Sequence, residues 1–433
     1  MTPAARLSAV IEILDEIARS RGPADGVLKA WARPRRYAGS GDRRAIAQRV
    51  YDTLRARARL GWAMGTDDGR ALVIGASRWL DGRTPEEIDA LFTGGGHAPA
   101  PLSDAERARI AAPLGDEPDW VKAGGPEWLA GRLRERFGAD WVAETEAMSQ
   151  PRAPLDLRVN SLRGDVDKAL NLLAYEGVEP ERTPLSAWGL RLPSEFATDI
   201  QKSRAYATGW IEIQDEGSQM AAWLAGAEPG QIVVDYCAGG GGKTLALAQA
   251  MRNEGRLVAS DVNAKRLDAI RERVQRAGSL AEIRSITQDG EGTEDLTGQA
   301  DLVLVDAPCS GAGTWRRRPE APWRLTPESL GRFPPLQTTI LARAAQIVRP
   351  GGRLVYVTCS VFAEENDAVA DAFLANHPDF RPRPITEAAD TPALTQAGRD
   401  RLAELAAGGH TVQLTPLRNG TDGFFIALFE RSA

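Results

Sequence analysis

The sequence predicts a doubly wound α/β domain with a mostly parallel sheet, preceded by a small α/β subdomain and an all-α N-terminal domain. Three observations carry this. From Ile213 onward, apolar runs (Ile232–Val234, Leu257–Ala259, Ile283–Ile286, Leu302–Val305, Leu354–Val357) alternate with helical stretches (Thr244–Arg252, Ala264–Arg276, Leu336–Val348, Glu364–Ala375). Strands that are apolar along their whole length belong to a sheet covered on both faces. The first of them runs into a glycine-rich turn and a helix. The first 115 residues carry helical spacing only.

Residues 1–115 read as helical. Ala5–Ile17 puts Leu7, Val10, Ile11 and Leu14 at helical spacing, and Arg43–Arg59 carries a second stripe of Ile46, Val50 and Leu54. Thr84-Pro85-Glu86-Glu87 is a helix start, with a hydroxyl cap, proline at the first position and acids in the first turn. Gly94–Pro101 reads as a loop and Glu127–Phe137 as another helix. Residues 116–205 combine linker helices with the small α/β subdomain, in which Leu155–Val159 alternates as a strand and Val166–Tyr175 as a helix. Residues 206–433 form the third domain, closing on a hairpin-like pair, Thr411–Thr415 and Gly423–Phe429.

The chain has 433 residues, 43% hydrophobic and 26% charged, which suits several globular domains. No run of uncharged apolar residues is long enough to span a membrane, and Glu12 and Asp15 interrupt any signal-like start. Only three cysteines are present, Cys237, Cys309 and Cys359, so the expectation is a reducing cytoplasm rather than a disulfide framework. His97, His377 and His410 have no ligand spacing, and no metal site is expected. The net charge is −6. Nine arginines (33, 35, 36, 43, 44, 49, 55, 57 and 59) nevertheless face only Asp42 and Asp52, a local charge of +7. Either a salt-bridged helix face or an RNA-binding patch meets that pattern.

The first strand ends in Val234-Asp235-Tyr236-Cys237-Ala238, followed by Gly239-Gly240-Gly241-Gly242-Lys243-Thr244. Such glycines let a ligand approach the backbone at a helix N-terminus. A nucleotidase phosphate loop needs glycine where Cys237 stands and fails by that one residue. Asp261, ending the second strand, can accept hydrogen bonds from ribose hydroxyls, which suits a nucleoside cofactor. Asp289, ending the third, is placed to reach an adenine amino group. Each acid alone also reads as a helix cap. Together with Asp306 they end three successive strands and line one crevice.

The fourth strand ends in Asp306-Ala307-Pro308-Cys309-Ser310-Gly311 and the fifth in Tyr356-Val357-Thr358-Cys359-Ser360. Neighbouring strand ends bring both thiols to one rim. A strand-end cysteine by itself reads as an inert core residue; two of three cysteines beside an Asp-Ala-Pro read as chemistry. Carbon 5 of cytosine is a poor nucleophile, and a thiolate adding to carbon 6 makes it enamine-like. A carboxyl such as Asp306, its pKa raised by burial, would then act near ring nitrogen 3. Methylation of an exocyclic nitrogen would call for Pro-Pro-aromatic at this strand end, and Cys309 occupies the aromatic position.

These residues resemble the bacterial ribosomal RNA cytosine-carbon-5 methyltransferases of the Fmu/Sun family over most of residues 120–433. The matching pieces are RVNSLR (Arg158–Arg163), IQDEGSQ (Ile213–Gln219), GGKT (Gly241–Thr244), DAPCSG (Asp306–Gly311), WRRRPEAPWRLTPE (Trp315–Glu328), YVTCS (Tyr356–Ser360), EEN (Glu364–Asn366) and TDGFF (Thr421–Phe425). The resemblance implies a Rossmann-like class I methyltransferase using S-adenosylmethionine on RNA, most often small-subunit ribosomal RNA, with transfer RNA an alternative. It implies Cys359 as nucleophile, Cys309 as the thiol that assists release, Asp306 on the target cytosine and Lys243 in the same region. It implies cofactor binding by Cys237, Ala238, Gly239, Gly240, Gly241, Gly242, Lys243, Asp261, Asp289 and Asp306. The family loop reads Cys-Ala-Ala-Pro-Gly-Gly-Lys, and Gly239 and Gly240 replace its Ala-Pro, a looser turn. More faintly, Asp42-Arg43-Arg44 through Val50-Tyr51 to Leu54-Arg55 resembles the NusB-like helical RNA-binding domain. Trp315, Arg316, Arg317, Arg318, Trp323 and Arg324 read as base-stacking and phosphate-neutralising groups or as a packed loop. Two rivals stand: a non-catalytic RNA-binding assembly factor keeping the fold, and the nucleotidase.

Overall fold

A computed structural model describes residues 1–20, 22–195 and 199–433. Its contacts divide the chain into two compact units, Met1–Pro151 with Trp315–Thr326, and Arg152–Thr314 with Pro327–Ala433. The helices Asp119–Ala123, Ala130–Phe137 and Trp141–Ser149 belong to the first of these.

The first unit is helical. Pro3–Ser20, Ser40–Arg55, Arg57–Met64 and Gly69–Trp79 enclose a core of Val10, Ile13, Leu14, Ile46, Val50, Leu54, Leu60 and Leu72. The helical stretch read from Arg43 to Arg59 is two helices, divided at Ala56, whose ψ of 6° ends the first. Leu54 and Leu60 would sit roughly 120° apart around a straight helix. The break lets both reach the core, with exposures of 2% and 0%. Thr84 and Glu87 form the expected reciprocal cap of Pro85–Asp89. Four of the nine arginines are tied to carboxylates: Arg35 to Glu12, Arg49 to Asp81, Arg57 to Asp67 and Arg59 to Glu117. Arg33, Arg36 and Arg44 lie exposed, as does Tyr37 at 69%.

The second unit holds two sheets. The smaller is antiparallel, with β1 (Leu155–Val159), β2 (Glu181–Arg182), β3 (Gly189–Leu192) and β4 (Ile211–Ile213) in the order β2-β3-β1-β4. The helix Val166–Tyr175 packs on it through Ala169 and Leu173. From β1, the buried Arg158 donates to Gln214 and to Gln249, both at 2.6 Å. Burial holds its pKa down to about 10, against the opposing pull of Glu212.

The larger sheet contains β5 (Ile232–Asp235), β6 (Arg256–Asp261), β7 (Glu282–Ser285), β8 (Ala300–Asp306), β9 (Val348–Thr358), β10 (Phe380–Pro382), β11 (Thr411–Leu414) and β12 (Phe424–Arg431). Their order is β10-β12-β9-β8-β5-β6-β7, with β11 paired to β12. Strands β5 to β9 pair in parallel; β12 enters antiparallel beside β9. Both faces of the central strands are apolar and buried, as the unalternating runs require, whereas the edge strand β7, expected to be one of those runs, is Glu-Ile-Arg-Ser with Glu282 and Ser285 exposed. Val233, Leu302, Leu304, Val355 and Val357 face one core, and Val234, Val303, Val305, Leu354 and Tyr356 face the other. The helix expected from Glu364 begins instead at Asp367, because Glu365 and Asn366 form a turn whose side chains are buried in a polar network.

The loop after β8 crosses the segment before β12 at backbone distance. Gly313 donates its N–H to the Cys359 carbonyl at 2.9 Å, and Gly423 donates to the Gly313 carbonyl at 2.8 Å. A Cβ at 313 would lie 2.1 Å from the Gly423 oxygen. Gly313→Ala should therefore lower unfolding stability by about 2 kcal/mol or more, read as a fall in urea midpoint. An unchanged midpoint would mean that the crossing relaxes freely.

Candidate active site

The C-terminal ends of β7, β6, β5, β8 and β9 stand side by side in that order. In doubly wound sheets, ligands bind at this edge. After β5 the chain turns through Cys237-Ala238-Gly239-Gly240-Gly241 into the helix Gly242–Ala250. Gly239 and Gly241 have φ of 56° and 79°, values at which glycine carries no penalty. Asp261 stitches this loop to β6. Its Oδ2 accepts from Gly239 N–H at 2.9 Å and its Oδ1 from Asn263 N–H at 2.7 Å. A carboxylate retains further lone pairs toward the crevice. Ser260 adds a 2.9 Å bond to the Tyr236 carbonyl.

The Gly239-Gly240 departure thus has a local counterweight. Arg273, on the helix Ala264–Ala277, donates through Nη1 to the Gly240 carbonyl. That nitrogen lies 3.2 Å from where a Cβ at 240 would sit, so the guanidinium occupies part of the space a side chain there would use. Glu212 holds Arg273 from behind at 3.2 Å.

Lys243 and Asp306 meet across the end of β5 and β8, with Nζ to Oδ2 at 2.7 Å. Lys243 is only 6% exposed, and its ammonium also lies 5.0 Å from the Phe424 ring centroid. The Asp306 side chain is 33% exposed, so the deep burial expected of it is absent; its environment is the lysine. Cys309 and Cys359 are half-buried, sulfur to sulfur at 3.4 Å. The hydrogen bond to Cys359, then burial, holds the Cys309 thiol well above its ordinary pKa. Burial likewise raises the Cys237 thiol.

Asp289 lies on the rim with an 87% exposed side chain, and its hydrogen-bond partner is Arg343 at 3.3 Å. Trp315 and Arg316, expected to face a base and a phosphate, are 1% and 5% exposed, and Arg57 covers the ring of Trp323 at 4.6 Å. The packed-loop alternative describes Trp315 and Arg316. Sequence reasoning missed Arg273, the exposed Val262 beside Asp261, and the buried carboxylate of Glu365. Only Glu365 had a signal, its place in EEN after YVTCS. Among the described residues no cluster could hold a metal ion, and no helix is long and apolar enough to cross a membrane.

The sheet order and the ligand edge built at it define a Rossmann-like methyltransferase. The chain belongs to the RsmB/F family of 16S rRNA methyltransferases. That family's description matches residues 221–430, and the ferredoxin-like domain of RsmF/B-like methyltransferases matches residues 125–199. The probable ribosomal RNA small subunit methyltransferase B of Bacillus subtilis is 32% identical over 305 residues, 70% of this chain and 65% of the relative. One from Synechocystis is 31% identical over 314 residues, 71% of this chain and 67% of the relative. The chain thus spans just under two thirds of the length of the first of these. The solved structure of PH0851 is 25% identical with a TM-score of 0.75, covering 100% of this chain and 99% of that one.

One acid in the site carries a pH signature. Burial pushes Asp235 up to about 7 from 3.8, even though Thr244 donates to it at 2.6 Å. Between about pH 4 and pH 7 the folded protein holds a proton that the unfolded chain releases, so this group removes stability as pH rises. Asp235→Asn should be more stable than wild type by up to about 4 kcal/mol at pH 8, the gain vanishing near pH 4. Urea melts at both pH values test it; a gain independent of pH would assign the shift elsewhere.

Proposed function

We propose that the protein transfers a methyl group from S-adenosylmethionine to carbon 5 of a cytosine in small-subunit ribosomal RNA, through a covalent bond from Cys359 to carbon 6. The observation that carries this reading is the pair of thiols in contact at 3.4 Å beside the Lys243–Asp306 pair. A single nucleophile needs no partner. A reaction that forms and then breaks a carbon–sulfur bond uses a second group that moves a proton.

Bound S-adenosylmethionine supplies an electrophilic methyl on sulfonium. The residues present fit it: the Gly239–Gly242 turn opens onto the crevice, Asp261 keeps acceptor capacity for a ribose diol, and Val262 offers an apolar face 54% exposed. Lys243 presents a donor and Asp306 an acceptor. A cytosine edge has the reverse, an acceptor at nitrogen 3 and a donor amino group, so the pair suits it. Cys359 gives its electron pair to carbon 6, and carbon 5 gains the density to take the methyl. Loss of the carbon 5 proton to a base then restores the double bond and returns the electron pair to Cys359. Cys309, its sulfur 3.4 Å from that of Cys359, is placed to assist that release.

For the RNA, we assign residues 1–115 as the binding domain, in the NusB-like manner. Arg33, Arg36 and Arg44 supply unneutralised charge, and Tyr37 a stacking ring. Residues 116–205 form the connecting region and 206–433 the catalytic domain.

With labelled methyl donor and unmodified small-subunit ribosomal RNA, wild type should put label into 5-methylcytosine and Cys359→Ala none. Cys309→Ala should accumulate a protein–RNA adduct that survives a denaturing gel, and the double variant should not. An adduct persisting in the double variant would remove Cys359 from its role. Label entering transfer RNA alone would redirect the substrate.

A further inference from the structure

The two thiol-bearing loops have no covalent link, yet their sulfurs touch. Each loop rejoins the body of the unit through the same side chain. Glu365 is fully buried in the turn after β9. Its Oε2 accepts from Ser310 N–H at 2.8 Å and from Gln337 Nε2 at 3.1 Å. Its Oε1 accepts from the hydroxyls of Ser310 and Ser360, the latter at 2.6 Å. Ser310 follows Cys309, and Ser360 follows Cys359. The two hydroxyls also lie 3.1 Å apart. Gln337, on the helix Phe333–Ile347, donates in addition to the carbonyl of Pro308 at 2.9 Å, just before Cys309. Glu365 is held in turn: Tyr356 hydroxyl donates to its carbonyl at 2.6 Å, and the next residue, Asn366, donates to Ser360 carbonyl at 3.0 Å.

We infer that Glu365 is the positioning residue of the thiol pair: one buried carboxylate joins the loop after β8 to the loop after β9 and so sets the Cys309–Cys359 spacing. It does not touch substrate, because it is sealed from the crevice. Two features make a carboxylate necessary. Four donors converge on two oxygens, a demand an amide oxygen cannot meet. One of them, Ser310 N–H, is backbone and cannot turn away. In Glu365→Gln one amide orientation sets an NH₂ against that N–H; the other keeps the oxygen there but makes both serine hydroxyls acceptors, so the charge-assisted bonds that tie the two loops are lost in either. The loops would part by the simplest route, separation of Cys309 from Cys359. The kinetic consequence rests on the roles proposed for the two cysteines; the spacing itself does not.

The test uses the full-length protein and two readouts. Diamide accepts two electrons and two protons from a thiol pair, leaving a disulfide, and peptide mass spectrometry follows the Cys309–Cys359 link. Glu365→Gln should form that link about tenfold more slowly than wild type, as expected for a lost hydrogen bond to a charged group. On RNA, the variant should form the Cys359 adduct yet release it slowly, as Cys309→Ala does, whereas general loosening would lower formation as well. Ser310→Ala, which keeps the carboxylate and removes one hydroxyl, should shift both readouts in the same direction by less, and serves if Glu365→Gln does not fold. Wild-type disulfide and release rates in the folded variants would overturn the inference. If wild type transfers no methyl at all, the proposed function falls while the diamide rates still decide the spacing.

Discussion

The site depends on the parallel register between β8 and β9. Asp306 lies opposite Val357, so the residues just beyond each strand emerge at one level and in one direction. Fifty residues separate Cys309 from Cys359 in the chain, and the register removes that separation. A slip of one residue would turn every β9 side chain to the opposite face and carry Val355 and Val357 out of their core. The same apolar packing that stabilises the sheet therefore fixes the placement of the reactive groups. Placement of this kind needs no energy from the polar residues themselves.

The polar residues do a different task, which is to hold loops that the sheet releases. Several loops at the ligand edge are held by a buried or half-buried charge. Asp261 and Arg273 take the glycine turn, Lys243 takes Asp306, and Glu365 takes both thiol loops. Buried charges are costly unless surrounded by donors, which limits where such a loop can settle. The glycine turn illustrates the exchange. Losing two side chains there adds freedom to the unfolded chain. An arginine reaching in from the neighbouring helix supplies a restraint of its own.

Much of this was legible in the sequence. The apolar runs gave the strands because both faces of the sheet are buried, and Leu155–Val159 and Val166–Tyr175 appear with the expected bounds. Asp306, Cys309 and Cys359 were visible because they follow strands directly, so local position implies place in space. What stayed hidden was long-range. Nothing near Arg273 in the chain points to Gly240, and nothing near Glu365 points to Ser310. The partner of Asp306 was hidden in the same way, since Lys243 comes from the helix after β5. The break at Ala56 is tertiary as well, since the helical stripe continues through it and only the shared core separates Leu54 from Leu60. Trp315 had two readings because an aromatic followed by arginines looks the same whether it is offered to a base or packed inside.

Strand β12 has a consequence for how the protein is made. It is synthesised after every other strand of its sheet, yet it pairs with β9 along its length, Phe425 opposite Thr358, and brings Phe424 under the Lys243 ammonium. Gly423, immediately before it, closes on the loop that carries Cys309. A chain emerging from the ribosome can therefore assemble the parallel sheet while its chemistry is still incomplete. The reactive edge is closed only once residues 423–431 have been made, and a chain stalled before residue 423 would lack both Gly423 against the Cys309 loop and Phe424 beside Lys243.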